Sequence, residues 1–281
     1  MHDGFQTSPV SRPEFALAAN ILPRMTYADI GDAQLWVEDD GGDHPPLLLM
    51  HAAAGHSGAW AEQRPMFAAA GYRVIAYDLR GFGQTRTAPG AEANGSMVAD
   101  LEALTEKLAL PPFCLVATAY GGFGALEFAL DNPTKLRALV VSTSFGGLTD
   151  PEFTAMRAKH IRPDLNDLPT VEKELGDSYR AANPDGVRRF EAMEHGSFSG
   201  LRQRLRTPTT LKRLESMRVP TLIVAGDEDA YAPPPVMQAF AEHIPGARFE
   251  VIEGVGHSAY WEKPEVWNEI VVRFLDKVQR A

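Results

Sequence analysis

The sequence predicts an α/β fold in which a mostly parallel sheet of eight strands is flanked by helices and interrupted by an inserted helical segment. Short apolar runs alternate with helical patterns along most of the chain, which is the order of a parallel sheet covered on both faces. Runs such as Pro46–Met50 are apolar throughout, as expected of strands buried on both sides. The alternation stops between about residues 146 and 212, where no strand pattern occurs.

The strands and helices can be placed from turn residues and periodicity. The predicted strands are Met25–Ile30, Gln34–Glu38, Pro46–Met50, Tyr72–Tyr77, Phe113–Thr118, Ala138–Ser142, Thr221–Ala225 and Arg248–Ile252. The predicted helices of the sheet region are Trp60–Ala70, one that Ser96 caps and that carries Met97, Leu101, Leu104 and Leu108 on one face, Tyr120–Leu130, and a last helix beginning at Pro264.

These elements divide the chain into three parts. Residues 1–24 lack clear periodicity and are predicted to form an N-terminal arm with a partly helical stretch at Glu14–Ala19. Residues 25–145 and 213–281 are predicted to form the sheet-containing core. Residues 146–212 are predicted to form a helical cap, with helices at Pro151–Ile161, Thr170–Ala182 and Pro184–His195.

Composition excludes several classes of partner. The 281 residues include 37 acidic and 27 basic side chains, a net charge of −10, which argues against nucleic acid and against a polybasic membrane surface. No apolar run approaches the ~18 residues of a membrane span, and the first residues lack the positively charged start and apolar stretch of a secretory signal, so we expect a cytoplasmic protein. Cys114, the single cysteine, lies in an apolar run and is expected in the core. No metal-ligand spacing, P-loop or dinucleotide fingerprint occurs, so no cofactor is expected.

The segment Leu115–Gly122 has the form of a strand-to-helix turn that presents a nucleophile. Ala117 and Gly121 are the small flanking residues of a pattern usually written G-x-S-x-G. The central position is Ala119, which has no nucleophilic atom.

Two later loops supply the other groups of a catalytic triad. Asp229 ends a G-x-x-D turn directly after the strand Thr221–Ala225, with Asp227 as its nearest competitor. His257 ends the G-x-G-H pattern that follows the strand Arg248–Ile252. A histidine in this position can act as a general base, and a carboxylate can orient it.

Together these segments resemble those of α/β-hydrolase-fold proteins, over roughly residues 25–280. The resemblance implies that Ala119 occupies the nucleophile position, with His257 as the base and Asp229 as its acid partner. It also implies an oxyanion hole formed by the backbone N–H groups of Ala53 and Tyr120. The loop that contains Ala53 departs from the family pattern His-Gly-x, because Ala52 follows His51. We interpret His51 as an anchor of this loop.

The alanine has two explanations. In the first, Ala119 replaces a natural serine, and the chain is a serine hydrolase of a carboxylic ester or lactone that has lost its attacking atom. In the second, alanine is native, and His257 with Asp229 acts as a base in a cofactor-free lyase or oxygenase, or the fold serves as a ligand-binding protein. An original aspartate nucleophile ranks below serine, because halide and epoxide enzymes of this fold carry proline where Ala54 stands.

Aromatic and cationic side chains indicate the substrate pocket. Trp60, Met156, Tyr231 and Tyr260 are predicted to contact a small-molecule substrate. Phe190, Met193 and Phe198 are predicted on the underside of the cap with Met156. The cap cations could meet an anionic substrate group, although such residues are more often the solvated face of helices; they are Arg157, Lys159, Arg162, Arg188, Arg189, Arg202, Arg204 and Arg206. The sequence leaves open the substrate, the choice among ester, lactone, amide and carbon–carbon bond, and the oligomeric state.

Overall fold

The computed structural model describes residues 23–91, 95–197 and 203–280. The strands are β1 (Arg24–Asp29), β2 (Ala33–Asp39), β3 (Pro46–Met50), β4 (Arg73–Tyr77), β5 (Arg86–Thr87), β6 (Phe113–Thr118), β7 (Leu136–Ser142), β8 (Thr221–Gly226) and β9 (Arg248–Ile252). The helices are α1 (Arg64–Ala69), α2 (Met97–Lys107), α3 (Gly121–Asp131), α4 (Pro151–Arg157), α5 (Thr170–Glu174), α6 (Asp177–Ala182), α7 (Pro184–His195), α8 (Leu211–Leu214), α9 (Pro234–Glu242), α10 (Ala259–Glu262) and α11 (Pro264–Gln279). The predicted helical stretch Glu14–Ala19 lies outside the described residues, as do Phe198 and Arg202.

All of these strands belong to one sheet, in the order β1-β2-β4-β3-β6-β7-β8-β9. Strand β2 is antiparallel to β1 and β4, and every later neighbouring pair along the path is parallel. The prediction of a mostly parallel α/β sheet flanked by helices is therefore confirmed. Strand β5, which pairs with β2 off the main path, was not predicted, because two residues carry no periodicity.

Both faces of the sheet are covered by helices, which explains why its central strands are apolar throughout. Leu48 and Met50 of β3 join the hydrophobic cluster under α2, α3 and α9. Leu47 and Leu49 join the cluster under α1 and α11 on the opposite face. Helix α9 was not predicted from the sequence.

The segment between β7 and β8 contains helices α4 to α8 and, among its described residues, no strand. Helix α7 covers the range predicted for it, and the side chain of Asn183 caps it by accepting from the Gly186 N–H at 2.9 Å. The helix predicted over Thr170–Ala182 is instead two helices, separated by the extended residues Leu175 and Gly176. The break has a tertiary cause, because the N–H of Gly176 donates to the carboxylate of Glu262 at 2.9 Å.

The topology brings the candidate residues together at one edge of the sheet. The loops that follow the carboxyl ends of β3, β6, β8 and β9 carry Ala53, Ala119, Asp229 and His257. Carboxyl ends of parallel strands meet at the same edge, where open α/β sheets bind their ligands.

Candidate active site

Ala119 stands in a strained turn between β6 and α3. Its φ angle is +47°, in the left-handed region that costs an L-residue about 1–2 kcal/mol. The N–H of Ala119 donates to the Ser142 carbonyl at 3.0 Å, and its own carbonyl accepts from the Gly122 N–H at 3.1 Å. The turn thus has the strained backbone of a nucleophile elbow although its side chain is a methyl group.

The turn also depends on a close approach of two backbones. A Cβ atom at Gly121 would lie 2.6 Å from the Met50 carbonyl oxygen and 2.7 Å from that of His51. Only glycine allows α3 to begin so close to the loop after β3. This contact holds the elbow beside the loop that contains Ala53.

His257 and Asp229 form a buried hydrogen-bonded pair. The Nδ1 atom of His257 lies 3.0 Å from Asp229 Oδ1 and 2.8 Å from Oδ2. Asp229 Oδ1 also accepts from the N–H groups of Tyr231 and Ala232, at 2.8 and 2.9 Å. A carboxylate only accepts hydrogen bonds, so Nδ1 carries a proton, and in the neutral ring Nε2 is the nitrogen that keeps its lone pair. The pair therefore has the arrangement of the base and acid of a catalytic triad.

A cavity of about 170 Å³ joins the candidate residues. Its lining consists of Ala53, Ala119, Tyr120, Phe123, Thr143, Ser144, Phe145, Arg157, Glu174, Tyr231 and His257. The structure thus brings the elbow position, the candidate base and the two candidate oxyanion residues to one cavity. Asp229 lies behind His257 and does not line the cavity.

Acidic groups determine the protonation of His257. Burial lowers the pKa of His257, but the negative charges of Asp229, Glu174 and Glu262 outweigh burial and raise this pKa to about 9. The imidazole consequently holds its proton more tightly than an exposed histidine does. Its basic form becomes abundant only above neutral pH.

Glu174, at the end of α5, is a cavity residue that the sequence did not indicate. Its Oε2 accepts from the Ser258 hydroxyl at 3.1 Å, and its backbone carbonyl accepts from the Ser258 N–H at 2.9 Å. Burial raises the pKa of the Glu174 carboxyl, and the nearby His257 partly offsets this rise. No motif marks this residue, because it reaches the site from the inserted segment.

Thr143 and two phenylalanines are further cavity residues that the sequence reasoning missed. Thr143 follows β7 and has a φ angle of +51°, which is rare for a β-branched residue. Phe123 and Phe145 add apolar walls to the cavity. For Thr143 and Phe145, the available sequence signal was their position directly after the buried strand β7.

His51 anchors the loop after β3, as predicted. Its Nδ1 donates to the Ala52 carbonyl at 2.8 Å, and its Nε2 accepts from the Leu79 N–H at 2.9 Å. Burial lowers the pKa of His51 to about 4, so the ring is neutral at neutral pH. The neutral ring fixes the loop that presents Ala53 to the cavity.

The predicted substrate contacts divide into two groups. Tyr231 lines the cavity, with its ring centroid 4.7 Å from that of His257. Met156, on α4, packs against the adjacent hydrophobic cluster. Trp60 and Tyr260, also predicted as substrate contacts, do not line the cavity at Ala119. Their ring centroids lie 5.0 Å apart in the core under α11, on the opposite face from the cluster that Met156 joins.

The underside of the inserted segment forms a small cluster of its own. Phe190 and Met193 pack with Trp261, and the ring centroids of Phe190 and Trp261 are 5.6 Å apart. These side chains hold the segment on the core beside a larger cleft of about 670 Å³, which Tyr260 and Trp261 also line. They do not line the cavity at Ala119.

Three acidic side chains connect the loops around His257. Asp227 Oδ1 accepts from the Gly254 N–H at 2.6 Å, and Glu228 Oε2 accepts from the Ser178 N–H at 2.8 Å. Glu262 accepts from Gly256 at 2.9 Å as well as from Gly176. The acid turn, the histidine loop and the inserted segment are thereby fixed to one another.

Neither a metal site nor a membrane span was found in the parts of the chain that the structure covers. Across residues 23–91, 95–197 and 203–280, no group of three or more His, Cys, Asp or Glu side chains is arranged to hold a metal ion. Among those same residues, no helix has both the length and the apolar character needed to cross a bilayer.

Comparison with known proteins agrees with this architecture. Residues 45–264 match the family described as alpha/beta hydrolase fold. A Mycobacterium tuberculosis protein with the provisional name non-heme bromoperoxidase BpoC is 29% identical over 86% of this chain and 97% of its own length. The 2-hydroxy-6-oxononadienedioate/2-hydroxy-6-oxononatrienedioate hydrolase of Comamonas testosteroni is 26% identical over 84% of this chain and 90% of its own length.

Solved structures show the same similarity. A thermophilic esterase from Thermogutta terrifontis, determined with malate bound, has a TM-score of 0.73 and 27% identity, over 90% of this chain and 97% of that one. An enol-lactonase from Burkholderia xenovorans LB400, at 19% identity and a TM-score of 0.71, shares the fold. Because the family match extends over most of its length, the chain belongs to the α/β-hydrolase fold family.

Proposed function

We propose that this chain is a hydrolase of carboxylic esters or lactones whose attacking serine is replaced by Ala119. The observation that carries the proposal is that Ala119, in the strained conformation of an elbow, lines the same cavity as His257, whose Nδ1 is hydrogen-bonded to the buried Asp229. The 27% identity to an esterase supports the choice of ester chemistry.

The proposed mechanism requires a hydroxyl group at position 119. The serine Oγ attacks the acyl carbon while Nε2 of His257 takes its proton, and the negative charge moves to the former carbonyl oxygen. The N–H groups of Ala53 and Tyr120 stabilise this oxyanion, and the N-terminus of α3 adds a favourable field. The C–O bond to the alcohol then breaks, and His257 returns the proton to the leaving oxygen. Water, deprotonated by His257, then attacks the acyl carbon, the bond between this carbon and the serine Oγ breaks, and His257 returns the proton to Oγ as the acid is released.

We further propose that residues 146–212 act as a cap over this site. The segment contributes Glu174 and Arg157 to the cavity lining, and Glu262 bonds its Gly176 to the histidine loop. A covering segment excludes water and shapes the space that a substrate occupies. The partner that fits a cavity of this size is a small molecule.

A second function is favoured by one observation. Glu174 provides another titratable group beside His257, in a cavity with a methyl group in the nucleophile position. If alanine is native, His257 with Asp229 acts as a base toward a carbon acid, in a cofactor-free lyase or oxygenase.

The experiment compares the chain with Ala119→Ser. Both proteins are treated with a fluorophosphonate probe and assayed on a panel of esters and lactones, with Ala119→Ser/His257→Gln as the control. We expect labelling and turnover only from Ala119→Ser, because loss of the nucleophile lowers turnover on the order of 10⁶-fold. If Ala119→Ser neither labels nor hydrolyses any substrate, the hydrolase proposal fails. Conversion of a ligand by the unchanged chain would then support the second function.

A further inference from the structure

Arg157 is a cation of the cavity whose charge no described acidic side chain pairs. It ends α4 and is partly buried, and it lines the cavity together with Ala119 and His257. The other described arginines of the inserted segment either pair with carboxylates or are exposed. The pairs are Arg162 with Asp164, Arg180 with Asp177, Arg188 with Asp185, and Arg206 with Glu102 and Asp131.

The guanidinium of Arg157 is held in a defined position. Its Nε donates to the Tyr231 carbonyl at 3.1 Å, and its central carbon lies 5.1 Å from the centre of the Phe145 ring. Neither Nη1 nor Nη2 donates to any residue within the described ranges. The hydrogen bond from Nε fixes the orientation of the guanidinium. The N–H groups of Nη1 and Nη2 remain as donors for another acceptor.

Partial burial of an unpaired cation is unfavourable unless something compensates it. Burial lowers the pKa of Arg157, and the charge of Asp229, which already pairs with His257, offsets only part of this effect. The chain contains 37 acidic side chains, yet no described one forms an ion pair with Arg157. A ligand with an anionic group would compensate the positive charge of Arg157 when it binds.

The position of Arg157 suits a substrate that extends out of the cavity. Arg157 and Tyr231 also line an outer groove of about 350 Å³ beside the cavity at Ala119. Glu174 and Asp229 already place negative charge near His257, which favours a monoanion over a dianion such as phosphate. A planar carboxylate matches the two nitrogens that a guanidinium presents along one edge.

Resting on the proposed function, we propose that Arg157 binds a carboxylate of the substrate, which would be an ester or lactone that carries a second, ionised acid group. The apolar walls formed by Phe123 and Phe145 would contact the chain between the two groups.

The test uses monomethyl esters of linear dicarboxylic acids, from succinate to suberate, each compared with its neutral dimethyl ester. Calorimetry on the unchanged chain measures binding without catalysis. We expect at least one half-ester to bind more tightly than its diester, and Arg157→Gln to weaken its binding roughly 10- to 100-fold. Arg157→Lys keeps the positive charge but loses the pair of nitrogens that binds both carboxylate oxygens. Its affinity for the half-ester is expected to be intermediate. The control Arg188→Gln changes an exposed cap arginine that pairs with Asp185 and is expected to bind normally.

The two proposals fail in different ways. If no half-ester binds more tightly than its diester, or if Arg157→Gln weakens both equally, the carboxylate site is overturned whatever the activity of Ala119→Ser. If half-ester binding depends on Arg157 while Ala119→Ser hydrolyses nothing, the site is supported and the hydrolase proposal fails.

Discussion

The backbone of Gly176 packs directly against the backbone of Gly256, so the inserted segment contacts the loop that carries His257. A Cβ atom at Gly256 would overlap the Gly176 nitrogen and lie 2.8 Å from the carbonyl carbon of Leu175. Glu262 reinforces the contact by accepting from the N–H groups of both glycines. Glycine at these positions therefore determines how closely the inserted segment approaches the histidine loop.

This contact predicts the effect of Gly256→Ala. The added methyl group must push the inserted segment away from the histidine loop, and overpacking of this kind costs about 1–3 kcal/mol or more. Urea unfolding measures the loss of stability. The control is Gly196→Ala, because a Cβ there meets nothing closer than 3.8 Å and stability should change by no more than about 0.5 kcal/mol. Equal stability of the two variants would contradict the close contact.

Asp229→Asn tests the orientation of His257. The substitution removes the negative charge that favours the imidazolium, so the pKa of His257 should fall below the value of about 9. NMR titration of the ring in the unchanged chain measures this directly. In the Ala119→Ser background, turnover should fall on the order of 10⁴-fold. An unaltered titration of His257 would contradict its hydrogen-bonded pairing with Asp229.

Glu174→Gln tests the influence of the inserted segment on the base. Glu174 helps to hold the proton on His257, so its loss should lower the pKa of His257 and move the pH–rate profile of Ala119→Ser toward lower pH. The rate itself should rise with pH toward about 9, because only neutral His257 accepts a proton. Glu172→Gln, on the same helix but outside the cavity lining, is the control. A profile that Glu174→Gln leaves in place would show that this carboxylate does not act on His257.

The buried His51 is expected to destabilise the folded chain in acid. Burial lowers its pKa to about 4 in the folded chain, whereas an unfolded histidine titrates at about 6.5. Between these values the unfolded chain binds an extra proton at this residue, so the contribution of His51 to stability falls as the pH decreases from 6.5 to 4. His51→Gln should show a shallower decline of the urea midpoint over this range, while His44→Gln, at an exposed position, should follow the unchanged chain. Parallel declines in all three proteins would rule out His51 as the source.

The sequence by itself determined the α/β fold, the places of the main strands along the chain, and the candidate positions Ala119, Asp229 and His257. The signals for these features are local, since apolar runs, glycines and short loop patterns each occupy a few consecutive residues. It also identified His51 as an anchor and Ala119 as the residue that stands where a nucleophile would act.

Only the tertiary structure decided which side chains share the cavity. Glu174 and Arg157 reach it from the inserted segment, and Thr143 from the strand next to β6, none of them marked by a motif. Trp60 and Tyr260 lie close to the signature loops in sequence, yet they pack in the core on the opposite face of the sheet. Such contacts depend on how distant segments pack, and no local pattern encodes them. The break between α5 and α6 has the same origin, because a carboxylate distant in sequence binds the Gly176 N–H.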